Sequence, residues 1–65
     1  MDVDTIHESL VNGQKKQAGE QIKNYRPDVI TFFEDYRDWL DDKGHDDRSK
    51  FHWFSQATLA YLRGL

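Results

Sequence analysis

Chemistry at a protein site needs histidines, carboxylates, hydroxyls or thiols in a workable pattern. This chain supplies His7, His45 and His52, and Ser9, Ser49 and Ser55. The patterns that would use them are missing: there is no Gly-x-Ser-x-Gly elbow, no phosphate-cradling glycine loop and no His-Glu-x-x-His. There is no cysteine, so neither a thiol nucleophile nor a thiolate metal site is available. His45, Asp46 and Asp47 cluster near Asp41 and Asp42, but a Ca²⁺ loop with Gly44 in its obligatory sixth place would begin at Trp39, which cannot ligate. The cluster reads as a polar, helix-capping connection. The carboxylates Glu34, Asp35, Asp38, Asp41 and Asp42 fall opposite an apolar helix face, so they read as a solvated stripe rather than an acid–base pair. The expectation is a protein without catalytic residues, metal or cofactor.

The elements that carry these residues are read from periodicity. Thr5-Ile-His-Glu8 has the spacing of a capping box. Asn12-Gly13 is a good stop, since both residues tolerate a left-handed backbone. A first helix is therefore expected over 5–12 and a second over 14–25, with Ala18, Ile22 and Tyr25 on one face. The rival reading is one unbroken helix over 5–25, with Gly13 tolerated at about 1 kcal/mol; the break is favoured. Arg26-Pro27 is the clearest boundary, because proline disfavours helix before it and suits a helix start. Asp28 then falls in the first turn, where an anion is favoured. A third helix over 27–42 places Val29, Phe32, Phe33, Tyr36, Trp39 and Leu40 on one face. Lys43 and Gly44 end it. A fourth helix over 47–62, capped by Asp46 or Asp47, has Phe51, Phe54, Thr58, Tyr61 and Leu62 as its main stripe, extended by Leu65. No segment alternates with period two, so no strand competes.

These readings make an all-α domain, a small bundle of three to four short helices over residues 1–65, with the last two as the core hairpin. The expected core is Ile6, Leu10, Ile22, Tyr25, Val29, Phe33, Tyr36, Leu40, Phe51, Phe54 and Leu62. Phe33→Asp is then expected to unfold the domain. A chain of 65 residues is one domain at most. Without disulfides or metal, its stability must come from a dense aromatic core or a partner chain. No apolar run approaches a membrane span, and the Met-Asp-Val-Asp start is neither a signal peptide nor a lipidation motif. The default compartment is the cytoplasm.

The net charge of −3 argues against non-specific contact with nucleic acid or an anionic membrane. It alternates along the chain: −3 over 1–13, +3 over 14–27, −6 over 28–47 and +3 over 48–65. This pattern suits neighbouring segments of opposite sign. Lys15, Lys16, Lys23 and Arg26 could meet phosphates. In a helix-turn-helix reading, however, the third helix would be the reader, and its carboxylate stripe would be repelled. Direct nucleic-acid binding is therefore not expected. The stripe itself, Glu34, Asp35, Asp38, Asp41 and Asp42, reads either as a solubilising outer face or as a dock for a basic patch on another protein. Imitation of nucleic acid would call for a larger charge excess. Trp53 stands away from the main stripe of the fourth helix, on one side with Ala57, Ala60 and Gly64. That ridge suits either another helix of this chain or, with Trp53 as an exposed anchor, a partner or second copy.

The stretch from Glu8 to Ala18, Glu-Ser-Leu-Val-Asn-Gly-Gln-Lys-Lys-Gln-Ala, continuing through Glu20-Gln-Ile22, resembles the opening of small helical proteins encoded by bacteriophages. In those, too, such a turn leads into a Gln/Lys-rich helix followed by an aromatic, acidic segment. The likeness covers about the first two-fifths of the chain and lends no catalytic residue. It implies a context, the host cytoplasm, and a role in binding a host or phage protein. The leading expectation is thus a non-enzymatic protein-binding module, with the acidic stripe and Trp53 as its surfaces. Nucleic-acid binding or mimicry, and self-association into a homo-oligomer, are the alternatives.

Overall fold

A computed structural model describes residues 2–25 and 28–64. They form four helices: α1 (Val3–Val11), α2 (Lys15–Lys23), α3 (Val29–Asp42) and α4 (Asp47–Arg63). No strand occurs among the described residues.

Each helix start has a local cause. The side chain of Asp2 accepts from the Thr5 backbone N–H at 3.0 Å and from the Thr5 hydroxyl at 2.9 Å. These bonds hold the Asp2 carboxyl below its ordinary value. The cap thus lies three residues before the expected Thr5 capping box, and the earlier start lets α1 bury Val3. The break between α1 and α2 is present. Gly13 takes φ +74°, a left-handed conformation that costs glycine little. Helix α3 starts at Val29 rather than at 27, with Asp28 as its cap accepting from Ile30 N–H at 2.9 Å; the expected boundary residues Arg26 and Pro27 lie outside the described residues. Asp46 caps α4 by accepting from Ser49 N–H at 2.8 Å. The turn before it passes through Gly44 at φ +85°.

The core departs from expectation in an instructive way. Its fully buried large side chains are Tyr36, Phe32, Ile6, Ile22 and Leu40. Phe32, not Phe33, is the aromatic keystone of α3, meeting the rings of Tyr25, Phe33 and Tyr36 at centroid distances of 5.1–5.4 Å. Phe33, Phe54, Tyr25 and Val29 pack at its margin. Phe51 and Leu62, expected in the core, are 73% and 57% exposed. The reason is the other side of α4. Ala57 and Ala60 are fully buried, and the α4 backbone lies directly on α2: the Gly64 position is so close that an added Cβ would sit 3.0 Å from the Gly19 carbonyl carbon. Small residues permit this approach, and it rotates the large apolar stripe of α4 outward. The tightest helix pair is therefore α2–α4. Helices α3 and α4 meet through larger side chains, Phe33 and Tyr36 against Phe54, with ring centroids 5.9–6.0 Å apart.

The charge-pairing expectation holds for the contacts of α1 with α2, of α2 with α3 and of α3 with α4, which join segments of opposite sign, but not for the tightest pair. The closely packed α2 and α4 belong to segments of the same sign. Their contact is built from Ala and Gly backbone. Lys50 meets Asp41 at 2.6 Å, an opposite-sign contact that joins the start of α4 to the end of α3. Two polar residues are buried as a pair: the Ser9 hydroxyl donates to the Gln21 side-chain oxygen at 2.9 Å, tying α1 to α2.

Candidate interaction surface

The expected site residues divide into those the fold consumes and those it leaves over. Asp35 is half-buried and accepts from the Tyr25 hydroxyl at 2.8 Å, linking α3 to the end of α2. Asp41 accepts from Lys50, whose ammonium is held above its ordinary value by its bonds to Asp41 and then Asp47. Glu34, Asp38 and Asp42 remain exposed, one helical turn apart. Asp38 has a loose contact at 3.7 Å with its exposed neighbour Arg37, a pairing of small value in water. The five-membered acidic stripe is thus a three-membered one.

Trp53 is not an exposed anchor. It is half-buried, with its ring centroid 4.6 Å from that of His7 and 4.8 Å from that of His52. It belongs to an aromatic–histidine cluster at one end of the bundle. There the His7 Nδ1 lies 2.7 Å from the Tyr36 hydroxyl, and Trp39 donates its indole N–H to Asp4 at 2.6 Å. His45 Nδ1 lies 2.6 Å from the Ser49 hydroxyl. Burial pushes the His7 imidazolium toward deprotonation, and nearby His45 adds to this while Asp4 opposes it. Burial likewise raises the Tyr36 phenol above its ordinary value. His7 and Tyr36 therefore stay neutral at neutral pH and hold α1 against α3. Chemically the cluster is a set of mutually satisfied packing contacts. Among the described residues, no group of three or more His, Asp or Glu is placed to hold a metal.

Three of the residues expected inside, Phe33, Phe51 and Phe54, instead line the open surface. Ile30, Phe33, Glu34, Arg37, Phe54 and Thr58 line a groove between α3 and α4. Ile30 is 64% exposed at its rim. Phe51, Ser55 and Leu59 continue the apolar surface along α4. Contiguous exposed apolar side chains make this the candidate interaction surface, which single ones would not. The signal for it was present in the sequence as the second apolar stripe of α4; what was missing was which of the two stripes faces in. On the opposite end, Lys15, Lys16 and Arg63 converge on one shallow concavity shared with Glu20. No helix among the described residues is long and apolar enough to cross a membrane.

No family model matches the chain, and neither a curated protein nor a solved structure matches it.

Proposed function

We propose that this protein is a non-enzymatic binding module that docks a basic, amphipathic segment of another protein in the groove between α3 and α4. The observation that carries the reading is the juxtaposition of an open apolar groove with the unconsumed carboxylates of α3. Ile30, Phe33 and Phe54 supply apolar surface to desolvate, and Glu34 on the groove with Asp38 and Asp42 beyond it supply a negative rim. An apolar centre with a charged rim is the usual anatomy of a transient protein interface. The rim would set the approach and the choice of partner more than the affinity. The phage-like opening motif supports a setting in the host cytoplasm and a partner from host or phage.

The test is capture of partners from host lysate, with and without nuclease, by the wild-type chain and by Asp38→Lys/Asp42→Lys. Both substitutions are at exposed positions, so the circular dichroism spectrum should be unchanged. A protein retained by wild type after nuclease and lost from the charge-reversed variant is the expected result. Retention that ignores the reversal removes the acidic rim from the account. A gel shift with duplex DNA at low salt is expected to show no complex. A complex that weakens steeply with salt would instead point to Lys15, Lys16 and Arg63.

A further inference from the structure

The outer face of α4 has an internal symmetry. Phe51, Ser55, Thr58 and Leu62 follow one another at intervals of four, three and four residues, the spacing of a coiled-coil seam. All four lie on the side of the helix away from the buried Ala57 and Ala60. Read backwards, the seam is unchanged in size: a large apolar residue, two small hydroxyl residues, a large apolar residue. We propose that a second copy of this chain covers this face, with the two α4 helices antiparallel about a two-fold axis level with Gln56 and Ala57.

In that register Phe51 meets the partner's Leu62, and Ser55 meets the partner's Thr58. Each contact occurs twice, as an isologous interface requires. The small central residues let the helix axes approach, while the large outer ones fill the space toward each end. The central hydroxyls do not oppose burial. Ser55 donates to the Phe51 carbonyl at 2.9 Å and Thr58 to the Phe54 carbonyl at 2.8 Å, so neither brings an unsatisfied donor into the contact. The exposure to be removed is large: 73% at Phe51 and 57% at Leu62. A contact of standard size takes about 800 Å² from each partner, roughly a fifth of the 4284 Å² surface of this chain. One helix face is smaller than that, so the dimer is expected to be weak and to dissociate on dilution. The seam shares Thr58 with the edge of the α3–α4 groove, but the inference does not rest on the acidic rim, so Asp38→Lys/Asp42→Lys should leave dimerisation unchanged.

The experiment is sedimentation equilibrium over a dilution series from about 1 µM to 1 mM, on the full chain and on Phe51→Lys, Leu62→Glu and the double variant. These positions are exposed, so each variant should keep the wild-type helical spectrum. Wild type is expected to dimerise, and each single variant to lose association by a hundredfold or more. The double variant should regain about tenfold over either single, because the antiparallel register brings two Lys–Glu pairs together across the axis, each of modest value at an exposed site. That recovery should fade with added salt. A wild type that stays monomeric to the top of the series overturns the proposal, as does a dimer indifferent to Phe51→Lys. A double variant no tighter than the singles overturns the antiparallel register.

Discussion

Replacing Gly19 with alanine tests the α2–α4 crossing, and the two possible signs of its effect separate sharply. Gly19 lies mid-helix in α2. If α2 were free of α4, alanine would stabilise the chain by about 1 kcal/mol, the ordinary helix-propensity gain over glycine. The fold reverses that sign. An alanine Cβ would overlap the Ala60 carbonyl oxygen, stand 2.9 Å from its carbon and 3.3 Å from the Gly64 Cα. All three atoms are backbone, so no side-chain rotation relieves the overlap and no substitution at Ala60 can compensate. The helices must part, loosening the packing around Ala18, Ala57 and Ala60, which are fully buried. Overpacking of this kind costs about 1–3 kcal/mol, more when backbone must move. Three backbone atoms in the way put the cost at the upper end of that range, so, set against the propensity gain, a net loss of about 2 kcal/mol is expected, a Tm lower by about 10 °C for a domain of this size. Thermal melts followed by circular dichroism read this directly, with Lys16→Ala on the exposed face of α2 as the control that should move Tm by no more than about 2 °C. An unchanged or raised Tm for Gly19→Ala would refute the close crossing, and with it the outward turn of the α4 stripe.

Two further tests probe the core and the histidine cluster. Phe32→Ala should cost about 3–5 kcal/mol in chemical denaturation, and Phe33→Ala distinctly less, since Phe32 is fully buried and Phe33 only half; equal losses would mean that the α3 register is wrong. Stability should also fall with acid through His7. Its folded value lies below the ordinary 6.5 because of burial and His45, so the unfolded chain binds the proton more readily. The contribution is therefore intact above that ordinary value, is lost as pH drops from it toward the depressed folded value, and levels off below. Comparing wild type with His7→Gln by melts at several pH values isolates it, and a wild-type–variant difference that does not change between neutral and mildly acid pH sinks the assignment.

Local signals in the sequence were legible where a backbone rule decides the outcome. Asn12-Gly13 and Lys43-Gly44 stop helices because the left-handed turn after each needs glycine, and both glycines take positive φ. The amphipathic face of α3 was legible for the same reason: one apolar stripe opposes one acidic stripe, so only one face can turn inward. Helix α4 defeated this logic because it carries two apolar stripes, one large and one small. Periodicity weighs size and favours Phe51, Phe54 and Leu62, whereas the fold favours the stripe that lets backbones touch. The ridge of Ala57, Ala60 and Gly64 was legible as a seat for another helix of this chain, and α2 takes it, but the polar composition of α2 did not single out Gly19 as the point of crossing. The acidic site was half legible for a related reason. Sequence shows that Asp35 and Asp41 share the outer face, but not that Tyr25 and Lys50 reach across to bind them.

The same two-faced helix links stability to function. A chain this small, with no cysteine to form a disulfide, has little apolar burial to spare. Yet it packs α4 through Ala57 and Ala60, which bury little surface each, and leaves Phe51, Leu59 and Leu62 largely in water. The isolated fold gains almost nothing from these large side chains, since polar residues at exposed helix positions would serve it equally well. Their apolar character has an energetic use only when something covers them. A second copy supplies such a cover at no cost in new sequence, because the seam is its own complement. Dimerisation would then stabilise the folded state in proportion to protein concentration.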